Sequence, residues 1–513
     1  MSQARLVFFI AAMLLLFVGT GCQNDQPGPS MSLEVSGFPD SVNVIMEQNC
    51  AISGCHVGAN PPSDLNLESW TQMHDGSDFG TVAIPGWPDW SHVFMHSNTF
   101  EELGVRALPP MPFNSDDQLT RQQVRTLRNW INDGVLSDKG ESYWAHRRTT
   151  SEGKGFFLCA GSDLFAVTDL ESNLIMDYVS VGNNPAANEA PHFIVSSPDN
   201  QYVYITLLTS GDSAAAGSAV VEKYRTDNYQ LAGRVFVDPD PALIQMNQDG
   251  DRMVVTHWNS AKGLSKLTLV DTRTMEVIAE ATGDGTFLSR PHGMAATPDL
   301  STLYVVANTG NYYSKITILD DRFDPDDEKI RIDPSVRRLS ESDLYKPYHC
   351  LLIPEKNMFF VSCNHKDIND VRVFDTRNDS LIAIIKTGEL PRLMDYDPQS
   401  NRLFVACGNE ENFAEQGSLK GCVSVIDVAS LTLEKKIFRI GQRPHGIKVD
   451  PKRRRLYVST ENNGGEDPPH HFIEGQGAGV PGKYNVIDLN TLEVIEDMET
   501  EVPVSPNQLV LIP

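Results

Sequence analysis

A proline repeat constrains this chain more than any other feature. A proline, one variable residue, five further residues and a second proline recur as Pro191-His192 with Pro198, Pro291-His292 with Pro298, Pro347-Tyr348 with Pro354, Pro391-Arg392 with Pro398, Pro444-His445 with Pro451, and Pro506-Asn507 with Pro513. Pro241-Ala242 keeps the phase, with Gln248 in place of the second proline. The steps between the seven copies run from 44 residues (Pro347 to Pro391) to 62 (Pro444 to Pro506). A tandem period of this size marks units that bury their apolar faces against their neighbours.

Each copy before the last is followed by a strand such as "LYVVAN", "LFVACG" or "LYVST", and then usually by a pair of strands like "VSVIDVASLTLEKKI". Four short strands per period describe a propeller blade. Three strands, "GFFLCAG", "LFAVTDL" and "LIMDYVSV", precede the first copy, and the last copy is the single strand "NQLVLIP". One strand plus three completes a seventh blade. Residues 150–513 are therefore expected to form a seven-bladed β-propeller, closed by pairing the C-terminal strand with the N-terminal strands, which leaves no free edge. The text "RPHGIKVDPKRRRLYVST…YNVIDLNTLEVI" resembles the YVTN-type propeller repeat family, a scaffold with many uses, so the fold names no reaction.

Within a blade the innermost strand starts at the end of the ring to which the second strand returns. By that rule His192, His292, His349 and His445 at innermost-strand starts, His257 and His365 at second-strand ends, and His470 and His471 in a long loop all map to one face. A proline-histidine-glycine start is a habit of such repeats, with the imidazole satisfying backbone groups. The sharper reading is a site where His192, His292, Tyr348, Arg392 and His445 converge on a ligand, a metal or a second cofactor, with His257, His470 and His471 as its rim. Cys363 and Cys407 share one blade position and suit packing between blades; a Cys407–Cys422 cross-strand disulfide is a further option.

Ahead of the repeat lies "NCAISGCHVG", with Cys50, Cys55 and His56. Two thiols followed directly by an imidazole suit covalent haem attachment, in which the thiols take the vinyl groups and the histidine ligates iron. Four residues separate the cysteines where two are usual, and the flexible Gly54 lets the surplus bulge outward. A zinc site from Cys50, Cys55, His56 and one of His74, His92 or His96, or a simple disulfide, uses the same residues. Further on, Met111 stands between Pro110 and Pro112. Thr120 is an N-cap with Gln123 three residues on, Leu119 can staple against Val124, and Val124, Leu127 and Ile131 share a face that ends at Gly134. A second helix is expected from Ser41 through "VNVIMEQN".

The stretches "NCAISGCHVGANPPSDLNLESW", "VAIPGWPDWSHVF" and "LPPMPF…LTRQQVRTLRNWINDG" resemble the long-spacer c-type cytochrome domains of bacterial exported proteins, in family order across residues 40–140. The resemblance implies a small all-α cytochrome c domain with one covalent haem c. It places thioethers on Cys50 and Cys55 and axial ligands on His56 and Met111, with His74, His92, Met95 and His96 as substitutes for Met111. Iron closed by histidine and methionine favours electron transfer over substrate chemistry.

The chain opens with Arg5, an apolar run from Leu6 to Val18 and then "GTGC". Thirteen apolar residues suit a signal peptide better than a membrane span. Small residues before Cys22 resemble a lipobox, although Gly19 stands where Leu or Val is usual, so residues 1–21 read as a lipoprotein-type signal, Cys22 as its lipidation site and residues 22–39 as a flexible tether. Such a chain belongs in the periplasm or cell envelope, touching membrane only through its anchor. Its 42 Lys and Arg against 68 Asp and Glu leave a net charge of −26, which argues against nucleic acid and for a basic partner.

The expected protein is thus multidomain, α plus all-β: an exported monohaem cytochrome that passes electrons to a redox partner protein, with the propeller as docking scaffold. An oxidoreductase with a second cofactor on the propeller face, or a propeller serving only adhesion or assembly, are the alternatives.

Overall fold

The computed structural model describes residues 35–113, 115–145, 152–184, 188–208, 217–258, 265–283, 289–324, 328–339, 344–409, 421–461, 472–473 and 481–513. The signal segment, Cys22 and the His470-His471 pair lie outside the described residues. The chain divides into two compact units, one of residues 1–143 with 471–475 and one of residues 144–470 with 476–513.

The second unit is the seven-bladed propeller. Among the described residues seven sheets carry four or more strands, and each of the seven repeat prolines opens or lies within an innermost strand. Those strands are Pro191–Ser196, Pro241–Met246, Pro291–Ala296, Pro347–Ile353, Glu389–Asp397, Pro444–Asp450 and Pro506–Ile512. The last pairs with Lys154–Cys159, which continues to Leu164–Asp169 and Leu174–Ser180, so one blade is built from both ends of the unit. Inner strands are packed on both faces; Leu164–Asp169 and Asp370–Asp375 are buried throughout, the second with Asp370 and Arg372 paired to each other. The outermost strand Ser380–Lys386 faces water on one side, and its burial alternates. Packing between blades fills the core, as where Phe360 and Val373 of one blade meet Met394, Val405, Cys407 and Cys422 of the next.

Three devices repeat around the ring. The residue before every leading proline takes a positive φ: Ala190, Asp240, Arg290, Lys346, Leu390, Arg443 and Ser505, between 45° and 58°. In four blades a hydroxyl fifteen residues after the proline accepts from its own innermost strand and donates to the next blade. Thr206 Oγ1 takes the Phe193 amide and gives to the Ala242 carbonyl (3.0 Å each). Thr256, Ser362 and Ser459 do likewise toward His292, Arg392 and Asn507. Finally, innermost strands approach so closely that a Cβ on Gly446 would lie 2.4 Å from the Asn507 carbonyl, and one on Gly293 would lie 2.7 Å from the Tyr348 carbonyl. Glycine after Pro-His is therefore a packing requirement at those two blades.

The first unit corrects the expected fold class. It is not a small all-α cytochrome c domain: among the described residues strands make up 47 % and helices 12 %. Among its described residues the α-helices are Asp40–Ile45, Trp70–Met73, His92–Ser97 and Arg121–Asn132, and only the last exceeds six residues. The cause is local. Gly58, Gly76, Gly80, Gly86 and Gly104 hold positive φ, and Pro61, Pro62, Pro85, Pro88, Pro109, Pro110 and Pro112 interrupt the helical hydrogen bonding between them.

The expected helix ends are present. Thr120 and Gln123 form the reciprocal capping box, Gly134 turns with φ 105°, and Val124, Leu127, Trp130 and Ile131 are buried. Phe38 meets Trp130 edge-on at 5.9 Å, and Val42, Ile45 and Met46 join the same core. The helix before the cysteines ends as a π-turn, Met46–Cys50.

Candidate functional site

In the first unit the π-turn delivers Cys50 to a tight loop. The His56 amide donates to the Cys50 carbonyl (3.3 Å) and the Cys55 amide to the Ile52 carbonyl (2.9 Å). Ser53 and Gly54 are exposed while Ala51 and Cys55 are buried, so the surplus residues bulge into solvent. Cys50 is a free thiol whose pKa burial pushes up to about 12. Cys55 is disulfide-bonded whereas Cys50 is not, so a Cys50–Cys55 disulfide is not formed.

His56 Nδ1 sits 3.2 Å from the Leu65 carbonyl oxygen. A carbonyl only accepts, so Nδ1 carries the proton and Nε2 keeps its lone pair. Burial lowers the pKa of this ring, and bonds to the Leu65 and Pro62 carbonyls oppose the shift.

Met111 is half-buried, and its amide donates to the His96 carbonyl (2.8 Å), while His96 Nδ1 donates to the Pro109 carbonyl (2.7 Å). The described partners of His56 are Cys50, Leu65, Pro62 and Leu67; Met111 is not among them. The substitutes are largely packing residues. Met95 is core, and His74 stacks on Tyr143 at 4.3 Å with burial lowering its pKa to about 3. His92 meets His96 edge-on at 6.4 Å. Among the described residues no group of three His, Cys, Asp or Glu is placed to hold a metal ion.

In the propeller the residue after each leading proline forms a ring at one end of the central channel: His192, Ala242, His292, Tyr348, Arg392, His445 and Asn507. The five expected residues come together. His192 lies 5.7 Å from His292 and 6.4 Å from His445 between ring centroids. Ala242, the one small member, lets His192 reach across to His292. Tyr348 packs on His292 at 4.2 Å, and its hydroxyl lies 3.0 Å from His445 Nε2. Asn507 Nδ2 is 3.0 Å from His192 Nδ1. Arg392 Nη1 stands 3.8 Å from Glu461, a carboxylate it shares with Arg443 at 3.5 Å. Gly408 gives this guanidinium its room, since a Cβ there would lie 3.0 Å from Arg392 Nε.

His292 Nδ1 donates to the Tyr348 carbonyl (2.9 Å), which leaves Nε2 as the acceptor. Burial is the main reason these rings stay neutral: it lowers the pKa of His192 to about 4 and of His292 to about 3, and takes His445 well below its ordinary value. Arg392 lowers His292 and His445 further.

The remaining histidines separate from this group. His257 is buried with Nδ1 on the Asp238 carbonyl (2.9 Å) and Nε2 on Thr268 Oγ1 (2.9 Å), a structural arrangement rather than a rim. His365 sits in a turn and accepts from the Asp367 amide at 3.3 Å. His349 does not share the face of the ring. A β-bulge between Pro347 and Cys350 turns it into a cavity of about 550 Å³ at the other end of the channel, beside Gln245, Asp395, Lys448 and Gln508. Cys363 and Cys407 are fully buried, and Cys407 stands opposite Cys422 without a disulfide between them. The bridging hydroxyls Thr206, Thr256, Ser362 and Ser459 escaped the sequence reading, although their fixed fifteen-residue offset was a signal.

No family model and no curated protein matches the chain. A putative 6-phosphogluconolactonase from Bacteroides fragilis NCTC 9343 aligns over 71 % of this chain and 99 % of its own, with TM-score 0.50 and 14 % identity, a likeness of propeller fold alone. Dihydro-heme d1 dehydrogenase NirN in complex with DHE aligns over 92 % of this chain and 98 % of its own, with TM-score 0.44 and 12 % identity. Kuenenia stuttgartiensis hydrazine synthase covers 60 % and 81 %, with TM-score 0.45 and 17 % identity. At those scores neither bears on function.

Proposed function

We propose that this chain is an electron-transfer protein of the cell envelope, carrying one covalent haem c on Cys50 and Cys55 and offering its propeller as a docking scaffold for a redox partner. The observation that carries this reading is the hydrogen bond from His56 Nδ1 to the Leu65 carbonyl, which fixes the tautomer an iron ligand needs and holds the ring with Nε2 available. The outward bulge of the spacer brings the His56 amide back onto the Cys50 carbonyl, so the longer spacing still closes into one loop.

When bound, the haem would supply a one-electron couple. The chain would hold it by sulfur from Cys50 and Cys55, by nitrogen from His56 and by sulfur from Met111. Each thioether would form by addition of a thiol across a vinyl group, so the Cys55 disulfide would first have to be reduced by an external dithiol. Export on residues 1–21, lipidation of Cys22 and a basic partner for the net charge of −26 belong to the same proposal.

The test is expression in an exporting bacterial host with its haem-attachment machinery, followed by haem staining on a denaturing gel. Wild type should stain and Cys50→Ser/Cys55→Ser should not. A wild-type chain that never stains, or a double variant that does, refutes the proposal. In stained protein, Met111→Ala should shift the reduction potential and open the iron to added imidazole.

A further inference from the structure

We infer that the channel mouth of the propeller binds a small oxyanion, with Arg392 as its charge partner and His292 taking up the proton that arrives with it. This site lies in the other unit from the haem loop and stands or falls independently of it.

Two buried polar groups at the mouth carry the inference. Arg392 is 9 % exposed and its Nη1 has no hydrogen-bond partner among the described residues; its nearest carboxylate, Glu461 at 3.8 Å, is shared with Arg443. Among the described residues the two guanidiniums share this one carboxylate, and Arg392, the buried member of the pair, is left short of a counter-charge that an anion would supply. His292 is 1 % exposed, and its Nε2 is buried without a described partner while Nδ1 is fixed on the Tyr348 carbonyl. An oxygen acid brings both complements: a proton for the Nε2 lone pair and a charge for the guanidinium. Trp258, edge-on to His292 at 5.5 Å, adds a buried indole N–H with no described partner. A planar, weakly hydrated guanidinium suits the two oxygens of a carboxylate, so acetate is the natural probe.

The proton balance follows from the surroundings. His292 faces His192, Tyr348 and Arg392, with His445, Arg443 and Glu461 beyond them and His349 acting from the cavity side of the ring, and burial with this field keeps the imidazole of His292 neutral before an anion binds. An anion cancels the repulsion from Arg392, so binding takes up one proton. Affinity then rises as pH falls, by up to about tenfold per pH unit above the free histidine's pKa.

The experiment is calorimetric titration of the full chain with acetate at pH 7.5 and 5.5, repeated in two buffers of different ionisation enthalpy to count protons. Saturable binding that tightens at least tenfold at pH 5.5, with about one proton taken up, is expected. Arg392→Ala should weaken it more than tenfold, and His292→Phe should abolish the proton uptake. Gly408→Ala, which crowds the guanidinium, guards against a misfolded Arg392→Ala and should also weaken binding. No saturable binding at either pH, binding indifferent to both the Arg392 and Gly408 changes, or binding without proton uptake would each overturn the inference.

Discussion

The Tyr348 hydroxyl and His445 Nε2 lie 3.0 Å apart, although the innermost strand Glu389–Asp397 stands between their strands in the ring. The bond therefore crosses the channel mouth and ties two blades that share no sheet. Tyr348→Phe keeps the ring packed on His292 and removes only the hydroxyl, leaving the imidazole nitrogen buried and unbonded. We expect a loss of about 1–2 kcal/mol, read as a lower urea midpoint at unchanged slope. An unchanged midpoint would show that the bond contributes nothing.

Ser459 Oγ accepts from the Gly446 amide (2.9 Å) and donates to the Asn507 carbonyl of the closing blade (2.7 Å). Ser459→Ala strands both backbone groups in a fully buried place, at a cost of about 1–3 kcal/mol. Gly446→Ala at the same seam should be worse, because its Cβ would collide with the Asn507 carbonyl, a neighbour that cannot rotate away. Thermal melts of the two variants should rank wild type above Ser459→Ala, and Ser459→Ala above Gly446→Ala. The reverse order of the variants would contradict the close-approach account.

What the sequence made legible was the part governed by chemistry at fixed offsets. The prolines marked all seven innermost strands because a residue with fixed φ and no amide donor can open such a strand and not interrupt its ladder. The converging ring followed from the same offset. By contrast, the positive φ before each proline was invisible, since Ala190, Asp240, Arg290, Lys346, Leu390, Arg443 and Ser505 share no chemistry and the conformation is imposed by the fold. The bridging hydroxyls were obscured by Val306 and Ala406, which occupy their offset in two blades. His349 was misplaced because a β-bulge shifts the alternation on which strand parity depends. In the first unit the capped helix Arg121–Asn132 was readable from its ends, yet motif order across residues 40–140 overstated helix content, since glycines and prolines set the backbone between the motifs.

Ring closure depends on Pro506–Ile512, whose Leu509, Val510 and Ile512 are buried against Lys154–Cys159. Removing residues 506–513 would expose a fully buried strand as an open edge. The truncated chain should leave the monomer peak in size-exclusion chromatography and lose its cooperative melt. A monomeric truncation with a wild-type melt would mean that the last strand is dispensable for closure.

Neutral buried histidines give the propeller a pH dependence of definite sign. Burial lowers the folded-state pKa of His192 and His257 to about 4, and of His292 and His349 to about 3, against an ordinary value of 6.5. Between those limits the unfolded chain binds protons that the folded chain refuses. Stability is therefore present in full above pH 6.5 and declines as pH falls toward 4, by roughly 1.4 kcal/mol per pH unit for each histidine that stays neutral. Urea midpoints measured at pH 7.5, 6.5 and 5.5 should change little over the first interval and fall over the second. His349→Gln removes one such group, so its midpoint should fall less over that second interval than wild type's does. A flat wild-type profile down to pH 5.5 would show that these imidazoles accept protons in the folded state, as an opened channel mouth would allow.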